Sequence, residues 1–268
     1  MYNKMEIQSI HDFQKLKKEN RNICFITCYD FTSAHIISKS NIDSILVGDS
    51  AAMVQHGHST TLHATTEMMA THVAAVRRGA PDYFITADMP FLAHRKGLSK
   101  TMSAVETLMK SGANAVKIEG GKGQFKIISH IVESGVPVMG HLGLTPQSVH
   151  QLGGHKLQGK EKENADQILD DAVSLQESGV FSLVLEMVPA KLAKNITSIL
   201  TIPTIGIGAG ANTSGQILVW QDLLGMNNEF NPKFLRKYLE GERLIKEALN
   251  KYCDDVRKKR FPVKEESY

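Results

Sequence analysis

The chain has 268 residues, 42% hydrophobic and 22% charged, with 31 Lys+Arg against 28 Asp+Glu. That composition excludes collagen-like, mucin-like and wholly disordered chains, and a formal net charge of +3 gives no reason to expect nucleic acid or an acidic membrane as partner. Cys24, Cys28 and Cys253 cannot all pair and lack the paired spacing of a zinc site, so a reduced, cytoplasmic protein is expected.

Residues 1–22 are polar and charged, without the apolar run of a signal peptide, and no 18-residue apolar stretch announces a transmembrane helix. Ser9 followed by Asp12 reads as an N-cap for a helix to about Glu19, with Asp where Glu or Gln is usual. Short β-rich runs then recur at Ile23–Cys28, Ser44–Val47, Tyr83–Ala87, Ala115–Glu119, Val136–Gly140, Ser182–Glu186, Pro203–Ile207 and Ile217–Val219. Helical patterning separates most of them, as at Thr65–Arg78, Lys100–Ser111 and Lys162–Ser178. Gly79, Gly112, Gly135 and Gly179 stand where helices should stop. A further helix is expected over Asn231–Tyr252, and residues 254–268 read as a surface tail. Alternating strands and helices with nearly continuous apolar strands predict a parallel sheet covered by helices. Eight strands favour a single (β/α)8 barrel domain, 1–268, with an N-terminal helix and extra C-terminal helices.

The strand ends carry the chemistry. Val47 is followed by Gly48-Asp49-Ser50, Ala87 by Asp88, and the fourth run ends Lys117-Ile118-Glu119; the fifth reaches His141 and the sixth Glu186. Barrel enzymes build their sites at this end of the strands. Alternation points Lys117 and Glu119 the same way, inward if Val116 and Ile118 pack outward. Each carboxylate taken singly could merely cap the next helix, but five strands converging on one rim favour a site. Asp49, Asp88 and Glu119 offer oxygen ligands suited to a hard cation such as Mg2+. Without a cation or a nearby Lys, carboxylates so close would repel, pushing one toward protonation. Lys117 supplies part of that balance, either by pairing with a substrate carboxylate or in a structural ion pair with Glu119 or another rim carboxylate.

The strings VGDSAAMV (47–54), GHSTTL (57–62), TADMPF (86–91), VKIEGG (116–121), GHLGLTPQSV (140–149), LVLEMVPAKLAK (183–194) and IPTIGIGAGANTSGQILVWQD (202–222) resemble, in order and spacing, the ketopantoate hydroxymethyltransferase family. The resemblance implies a (β/α)8 barrel and a homo-oligomer, typically a decamer. It implies transfer of a one-carbon unit from 5,10-methylenetetrahydrofolate, as co-substrate, to 3-methyl-2-oxobutanoate through a Mg-stabilised enolate, on the route to pantothenate, with one Mg2+ per subunit. By matching position, Asp49 and Asp88 would be metal carboxylates and Glu119 a third. Ser50 and Lys117 would bind the keto acid, with Asp49 and Asp88 also lining that site. Glu186 would be the proton acceptor, and His141 a further substrate contact or proton carrier.

The likeness breaks at 57–63, where members usually read G-H-D-(S/T)-T-L-P and this chain has Ser59 for Asp and His63 for Pro. Gln55-His56 is also unusual. His58, His63 and His72 are not spaced as a zinc pair on one helix, so no histidine zinc site is expected. The G-x-G-x-G string at 206–210 reads as close backbone approach at the rim rather than as a phosphate loop. A barrel of the phosphoenolpyruvate-mutase and isocitrate-lyase kind is the nearest alternative; it usually carries a reactive Cys in a mid-chain loop, and none is found there.

Overall fold

A computed structural model of the chain describes residues 7–268; the first six residues of the polar 1–22 segment lie outside the described residues. The β-rich runs form β1 (Ile23–Thr27), β2 (Ser44–Val47), β3 (Ile85–Asp88), β4 (Ala115–Glu119), β5 (Val138–Gly143), β6 (Ser182–Glu186), β7 (Thr204–Ile207) and β8 (Gly215–Leu218). They pair in parallel in sequence order, and β8 returns to β1, closing the barrel. Closure removes the sheet edges that would otherwise need covering. Between the strands lie α2 (Phe31–Ser38), α3 (Ala51–Val54), α4 (Thr66–Gly79), α5 (Leu98–Lys110), α6 (Phe125–Glu133), α7 (Lys162–Glu177) and α8 (Ala190–Ile199). The expected (β/α)8 fold is what forms.

Three of the four expected glycine stops behave as left-handed caps: Gly112, Gly135 and Gly179 have φ of +113°, +88° and +92°. Gly79 differs, because it stays inside α4. A Cβ there would meet the Phe31 carbonyl oxygen at 2.4 Å, so its role is close approach of α2 to α4.

The helix α1 (Ile10–Lys18) begins as expected, with the Ser9 N–H donating to Asp12 Oδ2 at 2.9 Å. Its apolar face carries Phe13 and Leu16, both fully buried. The Phe13 ring lies 5.8 Å from Phe25, 5.1 Å from Phe84 and 5.1 Å from Phe181. Phe84 and Phe181 immediately precede β3 and β6, so α1 seats an aromatic plug at the N-terminal end of the barrel. Lys17 ties the helix down, its Nζ donating to the carbonyls of Thr197, Leu200 and Ile202 at 2.9, 2.7 and 2.7 Å.

Five strands have bounds other than the expected ones: β1 ends at Thr27 rather than Cys28, β3 runs Ile85–Asp88 rather than Tyr83–Ala87, β5 Val138–Gly143 rather than Val136–Gly140, β7 starts at Thr204 rather than Pro203, and β8 runs Gly215–Leu218 rather than Ile217–Val219. β5 starts at Val138 because Pro137 has no N–H to give a ladder, and it continues to Gly143 because β6 pairs alongside it as far as Glu186. β3 retains Asp88 inside the strand, in register with Lys117.

Residues Val219–Tyr268 form a second compact unit, with the barrel unit ending at Leu218. It contains α9 (Trp220–Leu223) and α10 (Gly241–Arg257). The helix expected over Asn231–Tyr252 starts ten residues late. The Tyr238 and Gly241 N–H groups donate to the carbonyls of Leu223 and Leu224 at 2.8 and 2.9 Å. A helix over 231–240 would need those donors for itself. No helix among the described residues is long and apolar enough to cross a membrane.

Candidate active site

Strand register assembles the site. In the parallel ladder Asp88 lies opposite Lys117, Glu119 opposite His141, and Gly143 opposite Glu186. Because side chains alternate, Lys117 and Glu119 both turn inward and share one polar cluster. Lys117 Nζ is 2.9 Å from Asp88 Oδ1 and 3.7 Å from Glu119 Oε1. His141 lies between two carboxylates, with Nδ1 3.3 Å from Glu119 Oε1 and Nε2 3.3 Å from Glu186 Oε2. Asp49, in the bend between β2 and α3, donates its backbone N–H to Asp88 Oδ2 at 3.0 Å. Ser50 Oγ is hydrogen bonded to Tyr29 Oη at 2.8 Å. The strand-end residues singled out in the sequence therefore occupy one rim, and the Lys117 ion pair with rim carboxylates is realised.

Three groups escaped the sequence reading. Gln147, in the 3₁₀ turn Pro146–Ser148, donates Nε2 to Asp49 Oδ2 at 2.8 Å and to the Met89 carbonyl at 2.9 Å, while its own N–H donates to Glu119 Oε2 at 3.0 Å. Tyr29, fully buried, positions Ser50. Buried His94 is driven down to about 4, by burial first and then by Arg95. Gln147 sits inside the quoted string GHLGLTPQSV, but an amide has no charge signature, and only the fold shows that it spans two carboxylates.

The electrostatics separate these carboxylates. Burial pushes Asp49 well above the usual carboxylate range, and the charges of Asp88 and Glu119 push it further. Asp88 is also raised by burial, against the pull of Lys117. Glu119 is lowered: burial opposes ionisation, but His141, Lys117 and the Gln147 N–H overcome it. Burial and the Lys117 charge push His141 down, yet its bonds to Glu119 and Glu186 outweigh both and hold it up at about 9. The two carboxylates thus favour the imidazolium form, against Lys117 Nζ, which lies 3.3 Å from His141 Nδ1.

The rim carries more carboxylates than cationic side chains, a balance that suits a bound cation. Asp49 and Asp88 are adjacent, buried and unfavourable as a doubly ionised pair. Asp88 Oδ1 faces Lys117 without a well-directed hydrogen bond. Both oxygens of Glu119, by contrast, are engaged. No three His, Cys, Asp or Glu side chains among the described residues are gathered as a ready-made metal cage. The residues present fit a hard cation held by two carboxylates and completed by water or substrate oxygens, the usual habit of Mg2+.

Exposure separates them too. The Glu186 side chain is 18% exposed, whereas those of Asp88 and Glu119 are 4% exposed. At 206–210, a Cβ on Gly210 would meet Ala190 Cβ at 2.6 Å and one on Gly206 would meet Thr213 Oγ1 at 2.7 Å, as close approach demands. In the divergent loop, Thr61–His63 forms a 3₁₀ turn, and the His63 ring stacks on His58 with centroids 4.4 Å apart. That turn packs beside Pro146–Ser148, the turn carrying Gln147.

Among solved structures, the fold is similar to a phosphonopyruvate hydrolase in complex with oxalate and Mg++ (TM-score 0.63, 8% identity, 97% of this chain and 93% of that one). It is also similar to 2,3-dimethylmalate lyase, a PEP mutase/isocitrate lyase superfamily member (TM-score 0.57, 13% identity, 98% and 92%). At these identities the likeness concerns the fold alone. Sequence relatives speak to family. The chain is 56% identical to a 3-methyl-2-oxobutanoate hydroxymethyltransferase of Bdellovibrio bacteriovorus, over 98% of this chain and 100% of that one. It is 57% identical to one from Coxiella burnetii over 94% and 95%, and 52% identical to one from Legionella pneumophila over 97% and 99%. Residues 8–264 match the family described as ketopantoate hydroxymethyltransferase. With family match and relatives both spanning nearly the whole barrel and its rim, the chain belongs to the ketopantoate hydroxymethyltransferase family and is a transferase.

Proposed function

We propose that the protein transfers a one-carbon unit from 5,10-methylenetetrahydrofolate to 3-methyl-2-oxobutanoate, giving 2-dehydropantoate. The observation that carries this reading is the division of labour among the rim carboxylates: the buried ones hold charge in place, and the more exposed Glu186 is free to meet a substrate. The C3 proton of the keto acid is too weakly acidic to leave unaided at neutral pH. One Mg2+ per subunit, held by Asp49 and Asp88 with Glu119 behind them, would supply Lewis-acid polarisation of the 2-oxo group. Glu186 takes the C3 proton as general base. His141, 3.3 Å from Glu186 Oε2 and favoured in its imidazolium form, keeps that carboxylate oriented. Lys117 pulls Asp88 toward its ionised form against the effect of burial, and its positive charge favours a substrate carboxylate nearby. Gln147 fixes the Asp49 carboxylate, and Tyr29 fixes the Ser50 hydroxyl for the keto acid. One bond from the methylene carbon to a folate nitrogen breaks, C3 of the keto-acid enolate bonds to that carbon or to its hydrated form, and water supplies the hydroxyl as the second carbon–nitrogen bond breaks, so that tetrahydrofolate leaves.

A lyase of the isocitrate-lyase kind would want a reactive thiol. Buried Cys28 is the cysteine nearest a strand end, and burial pushes its thiol up to about 12, so it is inert. A homo-oligomer, a decamer as in the family, is part of the same proposal. Leu244, Ile245, Leu249, Tyr252 and Val256 lie along α10 and remain exposed in the single chain, the pattern of a helix that packs on another copy. Three free cysteines suit a cytoplasmic setting.

The decisive experiment is proton NMR of 3-methyl-2-oxobutanoate in D2O with the enzyme, with and without Mg2+, then with the folate added. Metal-dependent loss of the C3 proton followed by 2-dehydropantoate establishes both halves. A folded, Mg2+-supplied enzyme giving neither would overturn the assignment.

A further inference from the structure

The reaction leaves unused a group of imidazoles in the divergent stretch after β2 and on α4. His56 Nε2 lies 2.8 Å from His72 Nε2, although sixteen residues separate them and no spacing rule pairs them. His72 Nδ1 is 2.6 Å from the Tyr29 carbonyl oxygen. A carbonyl only accepts, so Nδ1 carries the proton, and in a neutral ring Nε2 is left bare. His72 thus presents a lone pair fixed in direction by a backbone carbonyl, the outer contact that metal-binding histidines habitually make. The facing nitrogen, on exposed His56, donates its N–H in the metal-free protein and is freed by moving its proton to Nδ1.

From this geometry we infer that His56 and His72 form a binding site for a borderline divalent transition cation of the zinc, nickel and copper class, with water completing the shell. Imidazole nitrogen selects these ions, whereas Mg2+ prefers oxygen. Two nitrogens bound to one tetrahedral ion at about 2.0–2.1 Å are separated by roughly 3.3 Å. The pair therefore has to open by only about half an ångström, and the exposed His56 can move outward. No third His, Cys, Asp or Glu completes the set among the described residues, which makes this an open two-ligand site rather than a structural zinc centre. Its ligands join the segment after α3 to α4. The carbonyl that orients His72 belongs to Tyr29, whose hydroxyl holds Ser50. An ion bound here would therefore clamp the 55–63 segment next to the substrate side of the rim.

The test is calorimetric titration of Zn2+ into the full chain in excess Mg2+ near neutral pH, so that the oxygen site is already filled. One saturable Zn2+ equivalent is expected, weakened at least tenfold in His56→Ala and in His72→Gln and retained in His63→Ala. Because His56 is exposed, His56→Ala keeps its fold, which its melting curve checks. A wild-type chain with no saturable Zn2+ equivalent under these conditions, showing a hydrogen-bonded pair and nothing more, overturns the site. So does an unchanged equivalent in His56→Ala.

Discussion

The two ends of the barrel solve opposite problems with the same eight strands. At the N-terminal end, Phe13 from α1 meets Phe25, Phe84 and Phe181, and Lys17 donates to three carbonyls. At the C-terminal end, Asp49, Asp88, Lys117, Glu119 and His141 are buried together, with Glu186 at their edge. Burial of apolar surface stabilises the first end, whereas burial of like charges strains the second. The lesson is that one end holds the fold so that the other can hold chemistry, a division common in barrels.

The largest effect expected from breaking this contrast is at the active rim. Glu186→Gln should lower kcat by about a thousandfold, within the range for loss of a general base, while Mg2+-induced thermal stabilisation remains. Wild-type C3 exchange in that variant would remove Glu186 from the role of base. At the other end, Phe13→Ala should cost about 3–5 kcal/mol in urea unfolding and leave kcat/KM of the folded fraction unchanged. A change in kcat/KM would show that the plug is coupled to the site.

The pH dependence sharpens the comparison. Held at about 9, His141 binds its proton more tightly folded than unfolded. Its contribution to stability is present in full below about 6.5, its unfolded value, and is lost as pH rises through about 9. In metal-free protein this amounts to about 3 kcal/mol between those limits. Urea midpoints across that window should fall in the wild type and flatten in His141→Gln, and an equal slope in both would assign the loss to other groups. Lys17→Met should cost about 2 kcal/mol by leaving buried carbonyls unpaired, read as a lower unfolding midpoint without loss of activity. Smallest, and opposite in sign, Asp49→Asn should stabilise the metal-free protein by about 1 kcal/mol by relieving repulsion with Asp88, while abolishing the melting shift produced by Mg2+. A destabilised Asp49→Asn would mean that the Gln147 bond outweighs the repulsion.

Much of this was legible in the sequence because it depends on local chemistry. Glycines after helical stretches, apolar β-rich runs of three to six residues and an ionisable residue at five successive strand ends are short-range signals, and they indicated the barrel and its polar rim. The errors are where a backbone group found a distant partner. The C-terminal helix begins at Gly241 because Tyr238 and Gly241 donate to Leu223 and Leu224. Gly79 is inside its helix because α2 presses against it.

By itself, the sequence determined the alternation of elements, the family and which strand ends carry ionisable residues, since each is written in residue types and their spacing. Only the tertiary structure decided who faces whom. Strand register set Lys117 against Asp88 and His141 between Glu119 and Glu186. Loop packing brought Gln147 onto Asp49 across 98 positions, and His56 onto His72. Charge and hydrogen-bonding energies depend on distances of a few ångströms, and only chain closure brings residues so far apart in sequence within that reach.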